Sequence, residues 1–79
     1  MNSLAEPVQS GKHQTDIVGS SNVAHVMWED DTLYVRFVKG TTYRYVGPTL
    51  ADYKALVTAP SVGIQLHKGI LSRFKGILV

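Results

Sequence analysis

Thr32–Val46, TLYVRFVKGTTYRYV, is the stretch on which the fold turns. Leu33, Val35 and Phe37 form an apolar row at the alternating spacing of a strand, and Tyr43-Arg44-Tyr45 follows beyond a Lys39-Gly40 turn signal. Directly paired residues of an antiparallel hairpin share a face, so loop parity decides where the tyrosines go. A two-residue loop, Lys39-Gly40, places Tyr43 and Tyr45 opposite the apolar row, beside Tyr34 and Arg36. A three-residue loop, Val38-Lys39-Gly40, with Gly40 in the left-handed region, pairs Phe37 with Thr41, Val35 with Tyr43 and Leu33 with Tyr45. Burial of a large apolar side chain is worth roughly 1.5–3 kcal/mol, and this favours the second register. Both tyrosines are then core residues with hydroxyls at the rim, and Arg44 is exposed between them.

Working outward, Ser20-Ser21-Asn22 is a turn signal and Val23–Trp28 a preceding strand. A four-residue loop, Glu29–Thr32, sets Trp28 opposite Leu33 and Val26 opposite Val35, so that Ala24, Val26 and Trp28 join the apolar face. A three-residue loop would bring in Met27 and His25 instead, and Trp28 suits a core better than His25. The acidic run Glu29-Asp30-Asp31 reads as a solvated loop, because three adjacent acids on a tight turn do not converge on one ion.

The meander needs a cover. Gly47-Pro48 ends its third strand, and Thr49 with Asp52 three residues on forms a variant capping box. Leu50, Tyr53, Leu56 and Val57 mark the apolar stripe of a helix from Leu50 to about Thr58, which Pro60 stops. Ser61 caps a second helix, with Ile64, Leu66 or His67, Ile70, Leu71 and Phe74 at helical spacing and Lys68, Ser72, Arg73 and Lys75 on the other side. Gly63 and Gly69 weaken that helix by about 1 kcal/mol each relative to alanine, so packing or a ligand is expected to offset them. Gly63 lies where an anion can approach the first turn. Gly76 reads as a stop, leaving Ile77-Leu78-Val79 exposed or docked, an apolar tail suited to homo-oligomer contact.

The predicted fold is therefore α+β, a three-stranded antiparallel β-meander with two C-terminal α-helices packed on one face. Residues 1–19, mixed in composition and without sustained period, read as a flexible arm that ends in a short strand at Thr15–Val18, with His13 solvated. Seventy-nine residues make one domain, near the lower size at which a core suffices alone. The absence of cysteine excludes disulfides and Cys-based metal sites, and fits a reducing compartment. With no long apolar run and no leader-like start, the expected setting is cytoplasmic and away from the membrane.

The net charge of +2 conceals an uneven distribution. Five of the six acids precede Thr32, whereas from Thr32 onward seven lysines and arginines face only Asp52. A basic half of this kind draws an anionic partner. No nucleophile–base pair, phosphate loop or metal spacing appears, and the three histidines are scattered over arm, strand and helix. The chain is therefore expected to be non-catalytic and without a cofactor.

From Ser20 to Phe74 the chain resembles the KTSC domain, found at the C-terminus of some lysyl-tRNA synthetases and as free-standing bacterial and phage proteins. The resemblance runs through Ser20-Ser21, Leu33–Phe37 with Gly40, Tyr43-Arg44-Tyr45, Tyr53, Ala59–Gly63, Leu66-His67 and Ile70. Pro48 stands where the family has a hydrophobic residue followed by proline, and Leu66-His67 stands for an aromatic–Asn pair. The resemblance implies a function that is undefined for the family, with RNA binding proposed from the synthetase context. Residues 20–79 are accordingly assigned as a KTSC-like binding domain for RNA or a nucleotide. Its candidate contacts are Tyr34, Arg36, Lys39, Tyr43, Arg44 and Tyr45 on the hairpin, with Gly63, His67, Lys68 and Arg73 on the second helix. The alternative is a phage-type accessory protein that engages a host protein, or a homo-oligomer that sequesters a small nucleotide.

Overall fold

The computed structural model describes residues 11–79, and the hairpin predicted at Thr32–Val46 is its centre. Strand β3 (Thr32–Phe37) pairs with β4 (Thr42–Val46), Val35 opposite Tyr43 and Leu33 opposite Tyr45. The loop is the three-residue one: the Phe37 amide donates to the Thr41 carbonyl at 2.8 Å, and Gly40, at φ +105°, donates back to Phe37 at 2.9 Å.

On the other side of β3, strand β2 (Val23–Glu29) is antiparallel in the expected register, Trp28 opposite Leu33 and Val26 opposite Val35. The connection is tighter than expected. Glu29 and Thr32 still pair, so Asp30 and Asp31 alone make the turn, at φ 49° and 60°. Two successive left-handed residues match the strand twist in a two-residue hairpin, and aspartate tolerates that region better than most residues. Ala24 is not a core residue: the ladder shifts there, from Val23 opposite Phe37 to His25 opposite Arg36, and this bulge turns Val23 inward in its place.

The sheet has five strands rather than three, in the order β1-β2-β3-β4-β5. Strand β1 (Lys12–Asp16) pairs along β2, three residues earlier than the short strand expected at Thr15–Val18. His13 and Thr15 are the strand's inward positions. His13 is half-buried, its ring 5.8 Å from that of Trp28 and 6.0 Å from that of Tyr53, rather than solvated. The Thr15 hydroxyl is bonded to the Tyr53 hydroxyl at 2.6 Å. Val18, by contrast, is 93% exposed beyond the strand. The remainder of the expected arm, residues 1–10, lies outside the described residues.

Strand β5 (Ile77–Leu78) docks the apolar tail on β4, Leu78 opposite Tyr43 and Ile77 opposite Arg44. Gly76 is more than a stop. A Cβ there would lie 2.9 Å from Tyr45 Cε2 and 3.3 Å from Tyr43 Cδ2, so the returning chain runs directly against the tyrosine rings.

Both helices cover the inner face. Helix α1 (Leu50–Val57) starts at the predicted capping box: Thr49 Oγ1 accepts from the Asp52 amide at 3.2 Å, and the Thr49 amide donates to Asp52 Oδ2 at 2.9 Å. Leu50, Tyr53 and Leu56 face the sheet. The Trp28 indole is anchored from the same side, its Nε1 donating to the Pro48 carbonyl at 2.8 Å.

Helix α2 (Val62–Gln65) runs directly into a π-helical segment, Leu66–Leu71. Leu66 and Ile70 are buried, with Val62 and Phe74 partly buried beside them. Ile64, expected in the stripe, is 59% exposed, and Leu71 is at the surface. The operative spacing, Val62, Leu66, Ile70, Phe74, is every fourth residue. That spacing overruns an α-helical turn of about 3.6 residues, and the wider π turn takes up the excess.

Gly47 sits at φ +122°, and a Cβ there would meet Phe74 Cε1 at 2.6 Å, whereas Gly40 has open space around it. Gly40→Ala is expected to cost about 1–2 kcal/mol of backbone strain alone. Gly47→Ala should cost more, about 3 kcal/mol, because Phe74 must also be displaced. Urea unfolding of the two variants checks the ranking, and equal losses would show that the Phe74 contact carries no weight.

Candidate functional site

The ten residues singled out by sequence fall into four places. Three stand on the sheet face away from the helices. Tyr34 pairs with Arg44 and Arg36 with Thr42, so both arginines project from neighbouring positions on that side. The row through Tyr34 and Arg44 continues to Met27 and Gln14 in one direction and to Ile77 in the other. Arg36 and Arg44 are exposed and Tyr34 is half-exposed. Among the described residues neither arginine has a carboxylate within ion-pair distance. The nearest acid along Arg36's row, Asp16, is bonded through Oδ1 to His25 Nδ1 at 2.7 Å.

Tyr43 and Tyr45 stand on the opposite side of the sheet, apart from Tyr34, Arg36 and Arg44. Tyr45 is 3% exposed, and burial first, then the neighbouring Tyr43 phenol, pushes its hydroxyl above the usual tyrosine range. Tyr43 is half-buried and meets Phe37 edge-on at 6.1 Å. Their position follows from the three-residue hairpin loop.

Arg73 is committed elsewhere. Its Nη2 and Nη1 donate to Asp52 Oδ2 and Oδ1 at 3.2 and 3.4 Å, and its guanidinium lies 4.8 Å over the Phe74 ring. It ties the end of the second helical element to the start of α1.

Gly63, His67, Lys68 and Lys39 converge with residues that sequence reading treated only as a turn. Gly63 and His67 line two adjoining grooves, of about 630 and 440 Å³, together with Ser21 and Asn22 of the β1–β2 turn. Lys68 borders the larger groove and Lys39 the smaller. The turn is held in shape by Ser20, whose Oγ accepts from the Asn22 and Val23 amides at 3.2 and 3.0 Å. The Asn22 carbonyl in turn accepts from the Val38 amide at 2.7 Å. Ser61, on the groove wall, accepts from the Ile64 amide at 3.3 Å and so caps its own helix. Ser21 and Ser61 belong to the stretches that carry the family resemblance and Asn22 to the turn signal, but nothing local shows that they meet.

A single antiparallel sheet, helices on one face, an opposite face that carries Tyr34, Arg36 and Arg44, and grooves between the β1–β2 turn and the second helical element define a small α+β domain. The chain belongs to the KTSC domain family, whose model matches residues 19–74. The crystal structure of a KTSC domain protein from Yersinia pestis superposes with a TM-score of 0.74 at 22% identity, over 87% of this chain and 99% of that one. At that identity the likeness shows the fold alone. A search of curated proteins finds no match. Among the described residues no helix is long and apolar enough to cross a membrane.

Asp52 gives the domain an acid-sensitive joint. Partial burial acts to raise its pKa, but the Thr49 amide, the Arg73 guanidinium and the Thr49 hydroxyl outweigh this, and the net pKa lies below the usual value. A carboxylate whose folded pKa is depressed contributes stability above its unfolded pKa of about 3.9, and this is lost as pH falls through the folded value. Asp52→Ala is expected to destabilise the protein at pH 7 by on the order of 1 kcal/mol or less, since solvent screens the pair. The gap from wild type should close as the pH falls below 4. Thermal unfolding at a series of pH values measures it, and a gap independent of pH would contradict the assignment.

Proposed function

We propose that the protein is a small non-catalytic binding domain for single-stranded RNA, which lies across the bare sheet face. The observation that supports this reading most directly is Tyr34 beside Arg44 and Arg36 on a face that, among the described residues, no helix covers and where neither arginine has a carboxylate within ion-pair distance. An aromatic ring accepts a base by stacking, and unpaired guanidinium groups hold phosphates in a fixed fork geometry. Sequence-tolerant recognition of a single strand needs little more than these two elements at neighbouring positions.

Short RNA oligonucleotides titrated at two salt concentrations test it. Affinity is expected to fall as salt rises, and Arg36→Ala with Arg44→Ala to reduce the slope of log K against log salt by about 1.4, at about 0.7 per phosphate contact on a single strand. Tyr34→Ala should cost about 1–3 kcal/mol of binding with the slope unchanged. Absence of binding at low salt, or affinity indifferent to salt, overturns the reading.

A second reading, self-association, is favoured by the apolar edge where Ile77, Leu78 and Val79 lie exposed on β5 and beyond it. An exposed apolar strand edge is a template for pairing with another copy. Light scattering of the wild type and of Leu78→Lys is expected to give a dimer or larger species for the first and a monomer for the second. Two monomers would end that reading.

A further inference from the structure

Neither a left-handed backbone nor a rigid neighbour requires glycine at Gly63. Gly47 and Gly76 are forced by rings that leave no room for a Cβ, whereas at Gly69 a Cβ would press only on the flexible end of the Gln65 side chain, at 2.9 Å. At Gly63 the first atom that a Cβ would meet is Asn22 Nδ2, at 4.0 Å, an ordinary contact. Its backbone is helical, so alanine would fit and would favour the helix. What the missing side chain leaves open is the wall common to both grooves, across from Asn22.

The character of the larger groove narrows what fits there. Its volume of about 630 Å³ lies within the roughly 300–1,000 Å³ typical of small-molecule sites. Its lining is mixed: Ile17, Val57 and Pro60 are apolar, and Ser21, Ser61 and Asn22 bring hydroxyls and a side-chain amide. Lys68 and His67 stand at its margin, and Lys39 borders the adjoining groove. The acid lining the larger groove, Asp16, is bonded to His25. Lys68 and Asp16 balance in formal charge, so an anionic group would be met by the donors of Lys68, Ser21, Ser61 and Asn22, and a flat organic body by Ile17, Val57 and Pro60.

We propose that this groove is a second binding site, separate from the sheet face, for a small phosphorylated molecule of nucleoside monophosphate size. The phosphate lies toward Lys68 and His67, hydrogen-bonded by Ser21, Asn22 or Ser61, and the organic body lies against Ile17, Val57 and Pro60. Gly63 is kept small so that the ligand reaches the wall shared by the two grooves.

Amide spectra of the full chain titrated separately with AMP, adenosine and inorganic phosphate test the proposal. AMP is expected to give saturable shifts at Ser21, Asn22, Gly63 and His67, with adenosine weaker by about tenfold for want of the charged contact. Gly63→Leu, which fills the groove, and Lys68→Glu, which reverses a marginal charge, should each weaken AMP by about tenfold or more. The spectrum of each variant verifies that it is folded. Arg36→Ala with Arg44→Ala should leave the AMP shifts unchanged, and this separates the groove from the sheet-face reading. Shifts confined to Tyr34, Arg36 and Arg44, inorganic phosphate binding as tightly as AMP, or no saturable shift at millimolar AMP would each overturn it.

Discussion

The pairing of Val35 with Tyr43 and Leu33 with Tyr45 is the constraint on which the rest of the molecule depends. A strand has a side-chain period of two, so a slip of one residue would move every side chain of β4 to the other face. In the observed register one face receives Val26, Trp28, Leu33, Val35 and Tyr45, all buried, while Arg36 and Arg44 are left outside. The core and the outward placement of Arg44 beside Arg36 are thus one consequence of a single loop length. The three-residue loop rests on Gly40 at φ +105°, where glycine supplies a conformation that most residues resist.

Trp28 connects that sheet to the helices. Its ring lies wholly within the core, and its one polar atom is satisfied by the Pro48 carbonyl at the approach to α1. A buried indole N–H without a partner costs more than the bond itself contributes, so this contact fixes where the chain leaves β4 for the helix. The Asp52–Arg73 pair and the Phe74 ring against Gly47 then bring the second helical element back over the same junction.

What could be read from sequence was local or periodic. The hairpin parity, the Trp28 register and the Thr49–Asp52 cap each depend on residues close together in the chain, and each stands in the structure as expected. What escaped depends on contacts between distant segments. Two residues, Ile77-Leu78, show no alternation, and the role of Gly76 becomes visible only once the Tyr43 and Tyr45 rings are placed against it. The bulge at Ala24 and the π-helical widening at Leu66–Leu71 are irregularities that a fixed period cannot anticipate. The candidate site divided in the same way. Arg36 and Arg44 followed from parity, whereas the grooves at Gly63 and His67 needed Ser21 and Asn22 from a turn some forty residues away. Arg73 looked free on its helix because its partner, Asp52, had already been explained as a cap.

The glycines separate stability from binding within one short chain. Where a ring fills the space that a side chain would need, as at Gly47 and Gly76, glycine is explained by packing, and substitution acts on the fold. Gly63 has room, a helical backbone and a helix-weakening identity, so the packing account that serves its counterparts does not extend to it. The π-helical segment fits the same division. It brings Leu66 and Ile70 onto the sheet at a four-residue spacing while His67 and Lys68, the next residues after Leu66, remain exposed at the groove. Covering the sheet and lining the groove are therefore tasks of different sides of one irregular helix: in a regular α-helix Leu66, Ile70 and Phe74 would drift by about 40° at each four-residue step, and the wider π turn offsets that drift.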